Sequence, residues 1–485
     1  MWYFWAGCEP VVLNIYYETK KYKYVGRYYL YFYSYMIKPI SHMMILSTLW
    51  LTWAVSSLTL SGPVGDKFGK VARDSQLAAD RTNVFSLELQ KVETGTYVTS
   101  LGFGNPIQPI LVAFDTGSSD TWVRLINSTD CKKSEQPCKE SDHQFFNISQ
   151  SSTFMPLGED FSVIYGTGSV EGAWAYDSIV VKNRTIPSYR FGVVEESHNA
   201  TSYGIVGLGL KKFEVTYTFS YGINKITEST HDSDHPRFVY DNFPTRLKDE
   251  GYIKKVCYAI LYPQDGSNQN GVITFGGLDT AKYESLLLIP IIQKSTGDWK
   301  SYNEPYLLAV SLEQVKVVLN NTEKPILGKP YPVLIDTLTY SIAAPSKVIK
   351  NLAILLGGKF LAQESAIAYP CNNDIKLKFY FGGAYLSVSA SDISVDKGNS
   401  CFLPMIDSGD DFMILGEVFL SNFYTFFDLE NLQFAIGYPK RSSEENLISL
   451  ASDQSPPNSK RVPKYSTVFN YSSSDILSLN YSSSI

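Results

Sequence analysis

Ile110-Leu111-Val112-Ala113-Phe114 runs directly into Asp115-Thr116-Gly117-Ser118-Ser119. The apolar run reads as a buried strand. The carboxylate at its end has a glycine and small hydroxyls behind it, so backbone N–H groups and side-chain donors can hold it. Taken alone, the run also reads as an Asx-turn closing a strand. A second unit decides between the two readings. Pro332-Val333-Leu334-Ile335 leads into Asp336-Thr337-Leu338-Thr339 in the other half of the chain. Two half-alike units, one per half-chain, imply two similar lobes meeting face to face. That arrangement puts two carboxylates in one site. Like charges so close cannot both ionise freely, so the pair shares a proton. One member can then take a proton from water while the other hydrogen-bonds to a carbonyl. Hydrolysis by this route needs no covalent intermediate, cofactor or metal.

Outward from these units the texture is mainly β. "VFSLELQ", "TYVTSLGFG", "FSVIYG", "GAWAYDSIVV" and "YRFGVV" are short runs broken by Gly, Pro and Asn. Residues 211–236 are polar and irregular and read as an exposed insertion. "YDNFPTRLKDEG" reads as a helix ending at Gly251. Strands are expected again from Val256 to about Tyr438. The organisation expected is an N-terminal lobe over 83–265, a C-terminal lobe over 266–440 and a Ser/Asn-rich disordered tail over 441–485. The tail has no hydrophobic end, so no GPI signal is expected in it.

The 485 residues are 44% hydrophobic, enough for more than one lobe, and the net charge of -6 with no long basic run argues against nucleic acid as a partner. Residues 1–35 are rich in Trp and Tyr without helical or strand period and read as a mis-called leader. Met36, Lys38, the apolar run Met43–Val55 and the small residues Ala54 and Ser56 read as a signal peptide over 36–56. An uncleaved anchor is the alternative, disfavoured by the short apolar run. Residues 57–82 read as a propeptide. The expected location is the secretory pathway, then extracellular, periplasmic or cell-wall associated. Sequons at Asn127, Asn147, Asn183, Asn199, Asn320, Asn470 and Asn480 fit a glycosylated exported protein. Cys257 lies in an apolar strand-like run and reads as a buried free thiol.

Further segments carry a resemblance. Trp122 follows Asp115 by seven residues, and Tyr165-Gly166-Thr167-Gly168-Ser169 lies further along the chain. "YGIVGLGLKKFEVTY", "YDNFPTRLKDEGYIKK" and "ILGEVFLSNFYTFFDLENLQFAI" complete the set. Over about residues 84–440 the sequence resembles the pepsin-like aspartic proteases, and most closely the yeast yapsin branch. The resemblance implies a bilobal fold with a central cleft, protein or peptide substrates and a monomer. It makes Asp115 and Asp336 the catalytic pair, supported by Thr116, Gly117, Ser118, Thr337, Leu338 and Thr339. It makes Tyr165, Gly166, Thr167 and Gly168 a flap over substrate, with Trp122 beneath it. It implies disulfides Cys131–Cys138 and Cys371–Cys401, and a preference for basic residues at the cleavage point.

The pattern breaks at Leu338, where the family has Gly. A side chain is added on the cleft floor, and a turn built for Gly tolerates a Cβ poorly. The expectation is a working endopeptidase, because the other motif residues are intact. The alternative is a pseudoprotease that binds peptides without cutting them. The pair His231 and His235, with Asp232 and Asp234 between them, lies in a polar stretch without helical setting and reads as a solvated loop rather than a metal site. Gly207-Leu208-Gly209 is no nucleophile elbow.

Overall fold

The computed structural model describes residues 14–19, 22–27 and 83–470, apart from 134–137, 140–142, 219–237, 264–269, 297–302, 372–373 and 410–411. The chain divides into two units, residues 1–62 and 63–485. In the first, Asn14–Thr19 pairs antiparallel with Tyr22–Arg27. The β-prone tyrosines at 16, 17, 22 and 24 favour this extended backbone although the stretch shows no strand period. The expected signal peptide, the propeptide, the His231 and His235 pair and Asn480 lie outside the described residues.

The second unit is mainly β and bilobal. The two aspartate strands are built alike. Gln108–Asp115 lies parallel to Gly204–Gly207, with Gly207 opposite Asp115, and Gly204–Gly207 pairs antiparallel with Thr121–Leu125. In the other lobe Tyr331–Ile335 lies parallel to Met413–Leu415, which pairs antiparallel with Ile342–Ala344. Each aspartate thus ends a strand buried between two neighbours. Close backbone approach demands glycine in both crossings. A Cβ at Gly207 would meet the Ser119 carbonyl carbon at 2.4 Å, and one at Gly416 the Thr339 oxygen at 2.2 Å.

A central sheet joins the lobes, running through Gln433–Gly437, Tyr424–Asp428, Cys257–Leu261, Gly271–Phe275 and Phe85–Lys91. Aromatic side chains fill the space between this sheet and the first aspartate strand. Phe114 packs on Phe275 and Phe243 at centroid distances of 5.5 and 6.0 Å. Residue 114 is therefore fixed directly before the carboxylate. The helix Phe243–Asp249 closes on Gly251, whose φ of +72° supplies the left-handed cap.

Three departures from the sequence reading stand out. Ser346–Leu355 is a helix where only strands are expected, burying Val348, Ile349, Leu352 and Ala353 on one face. Residues 211–218 are not a free loop. They form two short helical turns, Lys211–Phe213 and Val215–Thr218, with Glu214 fully buried between them. The tail is ordered well past residue 440. Leu447–Ser449, Ser459–Arg461 and Val468–Asn470 each add to a strand of the body. Leu450, Val462 and Phe469 are buried, and Lys255 donates from its ammonium to the Gln454 carbonyl at 2.5 Å. Sparse apolar residues in a polar stretch suffice when the body offers unpaired strand edges to receive them.

Candidate active site

The two aspartate turns meet across a reciprocal lattice. Thr116 N donates to Thr337 Oγ1 at 3.1 Å, and Thr337 N donates to Thr116 Oγ1 at 3.0 Å. Each hydroxyl in turn donates into the opposite strand, Thr116 to the Ile335 carbonyl at 2.7 Å and Thr337 to the Phe114 carbonyl at 2.8 Å. All four residues are buried. Every polar atom is satisfied by its counterpart, so the lobes are held at one spacing.

Above this lattice stand the carboxylates. Asp115 accepts from Gly117 N at 2.7 Å and from the Ser118 hydroxyl at 2.5 Å. Asp336 accepts from Leu338 N at 2.9 Å, Thr339 N at 3.1 Å and the Thr339 hydroxyl at 2.7 Å. A Cβ at Gly117 would lie 2.8 Å from the Asp336 carboxyl carbon, which shows how closely the turns approach. Burial, and then the charge of Asp336, push the Asp115 carboxyl up to about 7, against the pull of the Ser118 and Gly117 bonds. The pair therefore retains one proton through the acidic range.

The hairpin Met155–Ile164 and Ser169–Val181 carries its tip over the site, with Tyr165 N bonded to the Gly168 carbonyl at 2.7 Å. Gly166 and Thr167 are exposed at the tip, and Gly168 is half-buried. The Tyr165 hydroxyl accepts from Trp122 Nε1 at 2.7 Å, which ties the hairpin to the strand after Asp115. Trp122 itself is fully buried among Phe161, Val170 and Trp174.

Leu338 departs from its expected cost. Its φ is not positive, so the turn accepts a Cβ without backbone strain. The side chain packs against two groups of residues from the other lobe, the Trp122–Phe161 group and the Val98, Leu111, Ala113 and Tyr203 group. The anticipated turn strain is thus replaced by a packing consequence.

Sequence reasoning passed over a second acidic cluster beneath the hairpin. Asp120 accepts from the Tyr240 hydroxyl at 2.8 Å and from Val215 N at 3.0 Å, while Glu214 accepts from Tyr240 N at 2.8 Å. Burial raises Asp120 to about 6 and Glu214 to about 10, the latter also through the charge of Asp120. The available signal was Asp120 itself, a carboxylate at the start of the short run Thr121-Trp122-Val123. Cys131 pairs with Cys138 and Cys371 with Cys401, and Cys257 is a buried thiol. Of the sequons within the described residues, Asn147 is half-buried and the rest are exposed. Among the described residues, Cys371, Asp396 and Cys401 form the one group with metal-ligand spacing, and its two sulfurs are spent in the disulfide.

Residues 96–438 match the family model described as eukaryotic aspartyl protease. The chain belongs to that family. It is similar to aspartic proteinase yapsin-3 of Saccharomyces cerevisiae, 30% identical over 393 residues, which cover 79% of this chain and 73% of the relative. Aspartic proteinase MKC7 of the same yeast is 26% identical over 434 residues, covering 77% and 70%. A probable aspartic-type endopeptidase, opsB, of Aspergillus oryzae is 27% identical over 407 residues, covering 81% and 78%.

Proposed function

We propose that the chain is an exported aspartic endopeptidase whose Asp115 and Asp336 activate a water against a peptide bond. The observation that carries this reading is the carboxylate pair itself. Two buried aspartates stand on a reciprocal threonine lattice, and the first holds its proton up to about pH 7. In the acidic range the pair carries one proton. The ionised carboxylate takes a proton from water, the protonated one donates to the scissile carbonyl oxygen, and the water oxygen adds to the carbonyl carbon. Breakdown of the tetrahedral diol passes a proton to the leaving amine and restores the pair. Substrate lies extended beneath the Tyr165 hairpin, which excludes water as it closes.

The yapsin resemblance adds a preference for basic residues at the cleavage point and a secretory-pathway location, acting on protein or peptide substrates as a monomer. A competing reading, a peptide-binding pseudoprotease, is favoured by one observation, the packing of Leu338 across to the other lobe. Hydrolysis of a mixed peptide pool with basic and apolar cleavage points across pH 3 to 7 separates the two. Cleavage by the native chain that disappears in Asp115→Ala supports the endopeptidase. A folded native chain that cuts nothing, while Leu338→Gly cuts, supports the pseudoprotease.

A further inference from the structure

The two aspartate turns are symmetric in backbone and hydrogen bonding but not in volume. At Gly117 nothing projects into the space shared by the carboxylates, and a Cβ there would collide with Asp336. At the matching position Leu338 adds four carbons. They pack against the group that includes Trp122, Phe161 and Val163, at whose edge the Tyr165 ring also packs. Leu338 also lines a cavity of about 310 Å³, together with Tyr97, Phe114, Tyr262 and Tyr340. The leucine thus borders both this cavity and the residue group that Tyr165 packs against.

We propose that Leu338 sets the substrate class by filling the side-chain pocket for one of the two residues flanking the scissile bond, so that this flank admits Gly, Ala or Ser and rejects bulky residues. The inference rests on the endopeptidase reading above. Leu338 N is bonded to the Asp336 carboxylate, so residue 338 stands directly beside the carboxylates over which a substrate backbone must pass. The side chain that the substrate directs toward Tyr165 and Trp122 meets the leucine. Interiors are close-packed and yield little, so an added isobutyl group subtracts directly from what the pocket can hold. Removing the leucine adds its volume to the space beside the cavity it lines, and the enlarged volume suits an aromatic or branched side chain.

The test is cleavage-site profiling by mass spectrometry on a proteome-derived peptide library, using the native chain, Leu338→Gly, Leu338→Ala and Asp115→Ala. Circular dichroism and a thermal melt confirm that each variant is folded. The native chain is expected to cut only where one flank is Gly, Ala or Ser. Leu338→Gly is expected to admit Leu, Phe and Tyr at that same flank. For a matched peptide pair differing only there, the ratio of kcat/KM for the bulky over the small residue should rise roughly tenfold or more, with Leu338→Ala intermediate. A native chain that cuts with bulky residues on both flanks as readily as Leu338→Gly overturns the proposal and leaves the endopeptidase reading standing. A folded native chain that cuts nothing also overturns it. In that case rescue by Leu338→Gly identifies a blocked protease, and silence from both variants removes the endopeptidase reading as well.

Discussion

Replacing Thr337 with Val keeps the shape of the side chain and removes its hydroxyl, which joins the lobes through two bonds. Thr116 N then loses its 3.1 Å acceptor and the Phe114 carbonyl its 2.8 Å donor. Both groups are buried, so water cannot replace the lost partner. An orphaned buried polar group costs about 1–3 kcal/mol, and the two together should cost roughly 2–4 kcal/mol once relaxation is allowed. Unfolding entropy scales with chain length, so in a body of this size the melting temperature should fall by roughly 3–5 °C. Guanidinium unfolding, followed by tryptophan fluorescence, gives the free energy directly. Thr116→Val should behave alike, since Thr116 makes the mirror-image bonds. The double variant should cost about the sum of the singles, because the groups stranded by one are distinct from those stranded by the other. Equal stability of Thr337→Val and the native chain would refute the reciprocal lattice.

Further expectations follow from the hairpin, the acidic cluster and the ordered tail. Tyr165→Phe removes the acceptor of Trp122 Nε1 and should lower kcat/KM several-fold and stability by about 1–3 kcal/mol, measured by steady-state kinetics and denaturant titration. Asp115, Asp120 and Glu214 all have folded-state values raised above the ordinary carboxyl range, so the folded chain holds protons that the unfolded chain releases. Stability should therefore be greatest near pH 4 and fall as the pH rises through 6 and 7, with Glu214 extending the fall toward 10. Thermal melts from pH 4 to 8 check this, and Asp120→Asn should flatten the slope between pH 4 and 6. Leu450→Ala should cost about 2–4 kcal/mol, against a negligible effect if the tail were free, again by denaturant titration.

The sequence carried the fold in its repeated strand–aspartate units, because a buried strand ending on Asp-Thr is a local signal. The matching partner strands were less legible. Gly204–Gly207 and Met413–Leu415 are too short for periodicity to mark, and their role depends on glycines that allow backbone contact across the fold. Buried Glu214 stands between Phe213 and Val215 in a stretch that reads as an exposed insertion, and only tertiary packing takes it out of water. The tail was misjudged for the same reason. Its composition is that of a disordered chain, and three apolar anchors at 450, 462 and 469 act only against edges supplied by distant segments. Leu338 was visible as an irregularity. Composition could not show whether it strains the turn or fills the cleft, and the backbone angle and packing together point to filling.

The most direct test of the account is hydrolysis of a peptide pool at acidic pH by the native chain, Asp115→Asn and Asp336→Asn, each shown to be folded by circular dichroism. The account predicts cleavage by the native chain that fades as the pH rises through about 7, with both variants reduced to background. Cleavage that survives either substitution, or a folded native chain that cuts no peptide at any acidic pH, would contradict it.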